Sequence, residues 1–255
     1  MKKTVLIIMV LFALISTNIK ADSTSDSTKS CCSKLVLNAN CDIVSRYIFR
    51  GLDYGNSPAF QPTLSIGYGG FEFGGWGSIA TNSNYKELDL YAKYSMYGFT
   101  LSVTDYYVPF VTATPASPDI RYFVFDDKKT AHTLEAGLLY KGPEKLPFWV
   151  SANVMFFGND KRWGYDLAKD TTEKTYNSSY FEAGYTFNIG DKKLDIFAGG
   201  TPVAGAFGNN PGIINIGFTG YKSIKISDKY ELPVKAGLIY NPQVQDFHFV
   251  FGITF

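Results

Sequence analysis

The sequence predicts an all-β fold: a single antiparallel transmembrane β-barrel of about 12 strands, of outer-membrane type, over residues 35–255. Three observations carry that expectation. The closing stretch 245–255, QDFHFVFGITF, places Phe247, Phe249, Phe251, Ile253 and Phe255 on one side of an extended strand and Asp246, His248, Val250, Gly252 and Thr254 on the other. That is a two-residue period with an apolar, aromatic-rich face. The alternation recurs along the chain in segments of roughly 9–11 residues, the length a tilted strand needs to cross a bilayer. Short and long connections alternate between these segments, as when one rim of a barrel carries tight turns and the other carries loops.

Composition points the same way. The chain holds 21 Phe and 18 Tyr against 4 Met, a bias toward strands and aromatic girdles rather than helices. A net charge of +1 without a basic run argues against nucleic acid as a partner. Residues 1–21 read as a secretory signal peptide: Lys2 and Lys3 precede an apolar run over 5–15, polar residues follow from Ser16, and Ala21 is a small residue before a cut. The run is shorter than the roughly 20 residues of a spanning helix. No later stretch is uninterruptedly apolar, so membrane residence has to come from strands. Residues 22–34 are polar and patternless and are expected to be a flexible periplasmic lead-in. Cys31, Cys32 and Cys41 are odd in number and show no CxxC or Cys/His spacing, so no metal site is expected. In an exported chain they read as reactive or adventitiously paired thiols.

The elements follow in order. A first strand over 35–50 alternates Leu37, Ala39, Cys41, Ile43, Tyr47 and Phe49 with Asn38, Asn40, Asp42, Arg46 and Arg50, and 51–57 is a loop. The second strand, 60–68, sets Phe60, Leu64, Ile66 and Tyr68 against Gln61, Thr63 and Ser65, and Gly69-Gly70 turns it into a third over 71–80. A fourth, 85–96, sets Leu88, Leu90 and Ala92 against Glu87, Asp89, Tyr91 and Lys93, and Tyr97-Gly98 leads to a fifth over 99–108. The loop 109–129 carries three prolines and the aromatics Tyr122, Phe123 and Phe125. Strands over 130–140 and 148–157 precede a charged loop, 158–177, with Trp163. The remaining strands are 178–189, 194–201, 213–226, 232–240 and 245–255. No domain boundary or repeat beyond the hairpin period is evident.

The run Ser45-Arg46-Tyr47-Ile48-Phe49-Arg50-Gly51, then Pro58, Gln61-Pro62, residues 71–78 (FEFGGWGS) and Glu87-Leu88-Asp89-Leu90-Tyr91, resembles the Gcw_chp family of bacterial outer-membrane barrels. Its first-strand pattern has the form S-x-Y-x-F/W-R-G. The resemblance is best over 45–94; it implies a porin-like barrel and brings no settled activity with it.

On the alternation, Arg46, Arg50, Glu87, Asp89, Glu135 and Glu182 form a lumen charge cluster, joined by Asp42, Glu72, Lys93, Asp195 and Lys235 elsewhere on the inner face. Arginine pairs bidentately with carboxylates and stays charged, so Arg46 and Arg50 are expected to pair within the cluster and narrow a pore. Phe251 and Phe255 resemble the C-terminal signal by which outer-membrane barrels are recognised for assembly. Of the two histidines, His132 falls on the lipid side and His248 on the lumen side; no serine sits beside His132 as a nucleophile, so no catalytic residue is assigned. The glycines between 67 and 77 lack the helix that a phosphate loop needs. No cofactor is implied. The leading expectation is a passive porin-like channel for small polar solutes in the outer membrane. The alternative is a non-conducting structural or adhesive barrel whose long outer loops bind a partner; the third is an outer-membrane hydrolase. Outer-membrane lipid, the barrel assembly machinery and small polar solutes are the partners these readings imply.

Overall fold

The structure, a computed structural model, describes residues 34–109, 119–126, 129–160 and 176–255. The leader over 1–21, the rest of the lead-in with Cys31 and Cys32, and Trp163 lie outside the described residues. In chain order the strands are β1 (Val36–Val44), the short β2 (Tyr47–Phe49) and β3 (Leu52–Tyr54), β4 (Ala59–Tyr68), β5 (Phe71–Ala80), β6 (Lys86–Met96) and β7 (Phe99–Tyr107). They continue with β8 (His132–Lys141), β9 (Phe148–Gly158), β10 (Ser179–Ile189), β11 (Lys192–Thr201), β12 (Gly212–Ser227), β13 (Tyr230–Asn241) and β14 (Asp246–Thr254). Among the described residues, twelve of these close into one antiparallel barrel, while β2 and β3 pair only with each other. From β4 to β14 each strand pairs with its chain neighbours, and β1 completes the ring between β4 and β14. A closed ring leaves no backbone edge to satisfy, which is the condition for crossing a membrane with strands.

Tight turns define one rim. Gly69-Gly70 (φ 57° and 90°) and Tyr97-Gly98 (φ 52° and 83°) put both central residues at positive φ, the signature of the two-residue hairpin turn that matches strand twist. The longer connections, including the described segment 119–126, leave from the other rim. This is the alternation expected from spacing.

The two faces of the wall are inverted relative to a water-soluble sheet. Leu64 is 65% exposed while its neighbour Ser65 is 4% exposed. Leu90, Leu101, Phe181, Ile216 and Phe249 are likewise exposed on the outward face, so the phase read from the sequence holds in β4, β6, β7, β10, β12 and β14. An apolar exterior of this kind is stable against acyl chains, where the outward side chains lose nothing by exposure.

Closure rests on a short seam. Backbone pairing between β1 and β14 covers Asp42↔Thr254, Ile43↔Ile253 and Val44↔Gly252, extended by Cys41 and Phe255, whose amides each donate to the other's carbonyl (3.1 and 3.0 Å). Side chains on the lumen side reinforce it. Lys235 Nζ of β13 reaches Asp42 Oδ2 at 2.6 Å, and Thr254 Oγ1 donates to Asp42 Oδ1 at 2.6 Å. The lysine passes over Gly252, where a Cβ would stand 2.9 Å from Lys235 Cε.

One element departs from expectation. The first strand ends at Val44 rather than at residue 50. Ser45 holds the exit: its amide donates to the Phe251 carbonyl at 2.8 Å and its Oγ accepts from the Phe251 amide at 3.0 Å. The chain then leaves the wall.

Leu90→Arg should destabilise the barrel by roughly 2–4 kcal/mol, the cost of an arginine on the lipid face near the bilayer midplane, whereas Tyr91→Arg, on the lumen face, should cost much less. Denaturant unfolding of the two variants in lipid vesicles measures the difference; equal losses would mean the face assignment of β6 is inverted.

Candidate functional site: a hairpin inside the barrel

The segment between β1 and β4 folds as a hairpin with the register Tyr47↔Tyr54, Ile48↔Asp53 and Phe49↔Leu52. Its tip is Arg50-Gly51, with φ of 53° and 79°, the positive-φ pair of a type I′ turn. Glycine is required at the second position for a further reason: a Cβ on Gly51 would lie 2.1 Å from the Ile214 carbonyl oxygen of β12. The Gly51 carbonyl accepts from Asn241 Nδ2 at 3.1 Å. The hairpin therefore starts at β1 and ends against β12 and β13, with its tip inside the barrel mouth.

Aromatic rings fill the space on either side of it. Tyr47 meets Trp76 of β5 at 5.2 Å and Tyr85 at 6.0 Å, and Tyr54 meets Tyr85 at 5.1 Å. Phe49 meets Tyr106 of β7 at 5.9 Å and Phe207 of the β11–β12 loop at 6.4 Å. Two apolar clusters result: Val44, Tyr47 and Ala59 on one side, and Met155, Tyr180, Phe207 and Ile214 on the other, with Phe49 packed against both. The β11–β12 loop is pinned by the Ala206 amide, which donates to Ser178 Oγ at 2.7 Å.

Arg50 occupies the centre. Its Nη1 and Nη2 donate to the two carboxylate oxygens of Glu135 at 2.5 and 2.8 Å, and the Tyr106 hydroxyl donates to Glu135 Oε1 at 3.0 Å. The guanidinium carbon lies 4.6 Å from the Phe49 ring, 4.7 Å from Tyr180 and 4.6 Å from Phe207. The paired side chains are 9% and 4% exposed. A bidentate pair ringed by three aromatic faces is among the few settings in which a buried charge is stable.

The structure distributes the six cluster residues differently from the expectation. Arg50 and Glu135 pair. Arg46 pairs outside the set, with Asp53 of the same hairpin at 2.5 Å and with Asn56; its side chain is 40% exposed. The reason is the turn at Ser45, which takes Arg46 off the wall and beside its own hairpin partner strand. Glu87 accepts from the Tyr85 hydroxyl at 3.0 Å. Asp89 is buried with its Oδ1 lacking a hydrogen-bond partner. Neither carboxylate has an ion-pair partner among the described residues. Glu182 accepts from the Tyr180 hydroxyl and from Asn215 Nδ2 at 2.7 Å.

His248 faces the lumen, 3.9 Å from Asp246. His132 lies on the outward face yet is completely buried, because residues 119–126 fold over it. Its Nδ1 sits 2.9 Å from both oxygens of Asp105, its Nε2 meets the Tyr122 carbonyl at 2.5 Å, and Phe125 stacks on it at 4.5 Å. Both ring nitrogens are engaged, leaving neither to activate a nucleophile. In the same segment the Arg121 guanidinium grips Asp119 with bonds of 3.0, 3.1 and 2.6 Å and holds that carboxyl down at about 2.

The model of the Gcw_chp family, described as bacterial protein of unknown function, matches residues 28–199. The chain belongs to this family. Within the Gcw_chp match lie β1, the inner hairpin and both members of the Arg50–Glu135 pair. No curated protein matches the chain. A solved structure of BamA from Haemophilus ducreyi lacking POTRA domains 1-3 is similar at a TM-score of 0.39 and 12% identity, covering 81% of this chain and 41% of that one. The barrel assignment rests on the strand pairing of the Gcw_chp chain itself.

Sequence reasoning missed the inner hairpin, Asp53, Asn215 and Asn241. A local signal for the first was present: Tyr47-Ile48-Phe49 and Leu52-Asp53-Tyr54 flank a two-residue Arg-Gly step with matched alternation.

Arg50→Ala should leave Glu135 buried and unpaired and weaken hairpin docking by roughly 3–5 kcal/mol, whereas Arg50→Met combined with Glu135→Leu should recover most of the loss. Hydrogen exchange of the amides of 46–55 in micelles reads both effects; unchanged protection in Arg50→Ala would show that the pair does not hold the hairpin.

Proposed function

We propose that the protein is an outer-membrane barrel closed toward the outside by its own hairpin, a non-conducting structural barrel that presents its outer loops. The observation that carries this is the Arg50–Glu135 pair: a bidentate ion pair, nearly water-free, between the hairpin tip and the opposite wall. Side chains lining an open aqueous pore would be wetted. Ser78 at 0% and Tyr180 at 2% exposure, both on the inner face, support a filled upper lumen instead. An outer-membrane location is supported by the apolar exterior and by the leader pattern over 1–21. We read the barrel as non-enzymatic, since His132 is engaged on both nitrogens and His248 has only Asp246 in ion-pair reach among the described residues.

A passive channel for small polar solutes is the second reading. It is favoured by the wetter lower lumen, where Lys93 and Glu72 lie 4.0 Å apart with side chains 38% and 36% exposed. It requires the hairpin to leave.

Planar-bilayer recording decides between them. The wild-type barrel should show no steady conductance, and deletion of residues 46–56 should produce stable channels. Porin-like ohmic conductance from the intact chain would overturn closure and restore the channel reading. For the barrel assembly machinery as a partner, a chain lacking Phe255 should assemble at reduced yield, scored as heat-modifiable barrel; wild-type yield would remove Phe255, and with it the pattern shared with Phe251, from any recognition role.

A further inference from the structure

Charge is rare on the outward face of the barrel. Among the described residues, the charged side chains at outward strand positions are Lys86, Asp105, Lys192 and Lys222. Asp105 meets His132 beneath the segment 119–126, and Lys86 opens β6 at the long-loop rim. Lys192 and Lys222 are of another kind. They stand directly opposite each other on β11 and β12, close to the tight-turn rim, and both are exposed. Alternation fixes their direction: Lys192 shares its face with the exposed Ile196, and Lys222 with the exposed Phe218 and Ile224.

Like charges directly opposite in an antiparallel pair, with Cβ atoms about 5 Å apart, repel. No carboxylate offsets that repulsion among the described residues. Asp191, beside Lys192 in the turn, does not come within ion-pair reach of either lysine. Asp228 holds Lys225 at 2.8 Å, and Asp195 faces the lumen, where it accepts from Thr186 Oγ1 at 2.7 Å. The lysines are not at a free polar end either. β12 continues past Lys222 with Ile224 and Ile226, outward and 44% and 59% exposed. On the side toward the barrel's middle the wall is hollowed. The adjoining rung is Leu194, Gly220 and Ala236, and a Cβ on Gly220 would meet nothing nearer than the Ala236 carbonyl oxygen at 3.8 Å.

Two unneutralised ammonium groups, with an apolar groove running from them along the outward wall, are complementary to an anionic headgroup joined to acyl chains. We propose that Lys192 and Lys222 together bind the phosphate of an anionic phospholipid of the periplasmic leaflet, with one of its acyl chains lying over Gly220 and Ala236. Free phosphate lacks the chain that the groove receives, so the lipid is the source of the anion. The proposal rests on the outer-membrane reading, which puts the tight-turn rim on the phospholipid side.

The test is native mass spectrometry of the refolded full-length barrel in micelles titrated with dioleoylphosphatidylglycerol. Dioleoylphosphatidylcholine is the zwitterionic control and sodium phosphate the competitor. Phosphatidylglycerol should be retained in preference to phosphatidylcholine, and phosphate should not displace it. Lys192→Gln and Lys222→Gln should each weaken retention by about fivefold, the worth of one basic residue at an anionic surface. Lys192→Arg should keep it, and Lys86→Gln, at the opposite rim, should leave it unchanged. Equal retention of the two lipids, unchanged affinity in both Gln variants, or displacement by an equal concentration of phosphate would overturn the lipid site. Heat-modifiable migration shows that each variant is folded. Fractionation of cells producing the protein is scored separately. A chain that reaches the outer membrane but shows no lipid preference sinks only this proposal, while a chain absent from that fraction sinks the outer-membrane reading with it.

Discussion

The interior of this barrel is organised around the Arg50 guanidinium. A full positive charge removed from water is stable only if its charge and its donors are met at close range. Glu135 meets two donors at 2.5 and 2.8 Å, and three aromatic faces lie within 4.7 Å of the guanidinium carbon. None of these partners is local in sequence except Phe49; Glu135 is 85 residues away. The pair can form only when β8 stands across the lumen from the hairpin. Once formed, it fixes the tip so closely that Gly51 has no room for a side chain beside the Ile214 carbonyl.

That constraint divides the lumen into two regimes. Above, rings from the hairpin and from β5, β7 and β10 pack as they would in a soluble core, with Phe49 shared between two clusters. Below, charged side chains such as Lys93 and Glu72 remain wetted. Asp89 Oδ1 and Asn215 Oδ1 are the two buried side-chain atoms without partners among the described residues.

The seam shows the same economy of means at the other junction. β1 and β14 share few backbone bonds, and the Lys235–Asp42 pair, with Thr254, ties three strands across it from the lumen side. Gly252 makes the crossing available because nothing projects from β14 at that point. Ser45 then ends the seam by exchanging two hydrogen bonds with Phe251, and the same residue begins the departure of the hairpin. Closing the ring and filling its mouth are thus handled by adjacent residues of one segment.

The amino-acid sequence by itself determined the wall. A two-residue period is a property of local backbone geometry, so the strands, their phase and the outward set from Leu64 to Phe249 were legible without any contact information. It also named Arg50 and Glu135 as inner-face charges, because alternation assigns a face. Only the tertiary structure decided what those charges do. The alternation of Tyr47 and Phe49 continues that of β1 in phase, so periodicity could not separate a longer first strand from a hairpin turned inward. Arg46 looked like a wall residue for the same reason and belongs to the hairpin. Which carboxylate meets which arginine depends on strand order and stagger around a closed ring, and these arise from pairing between segments as far apart as Cys41 and Phe255. The surroundings of Asn215 are further still from view: its Nδ2 meets Tyr180 and Glu182 of β10, across β11 from its own strand, whereas the sequence shows only one asparagine among others.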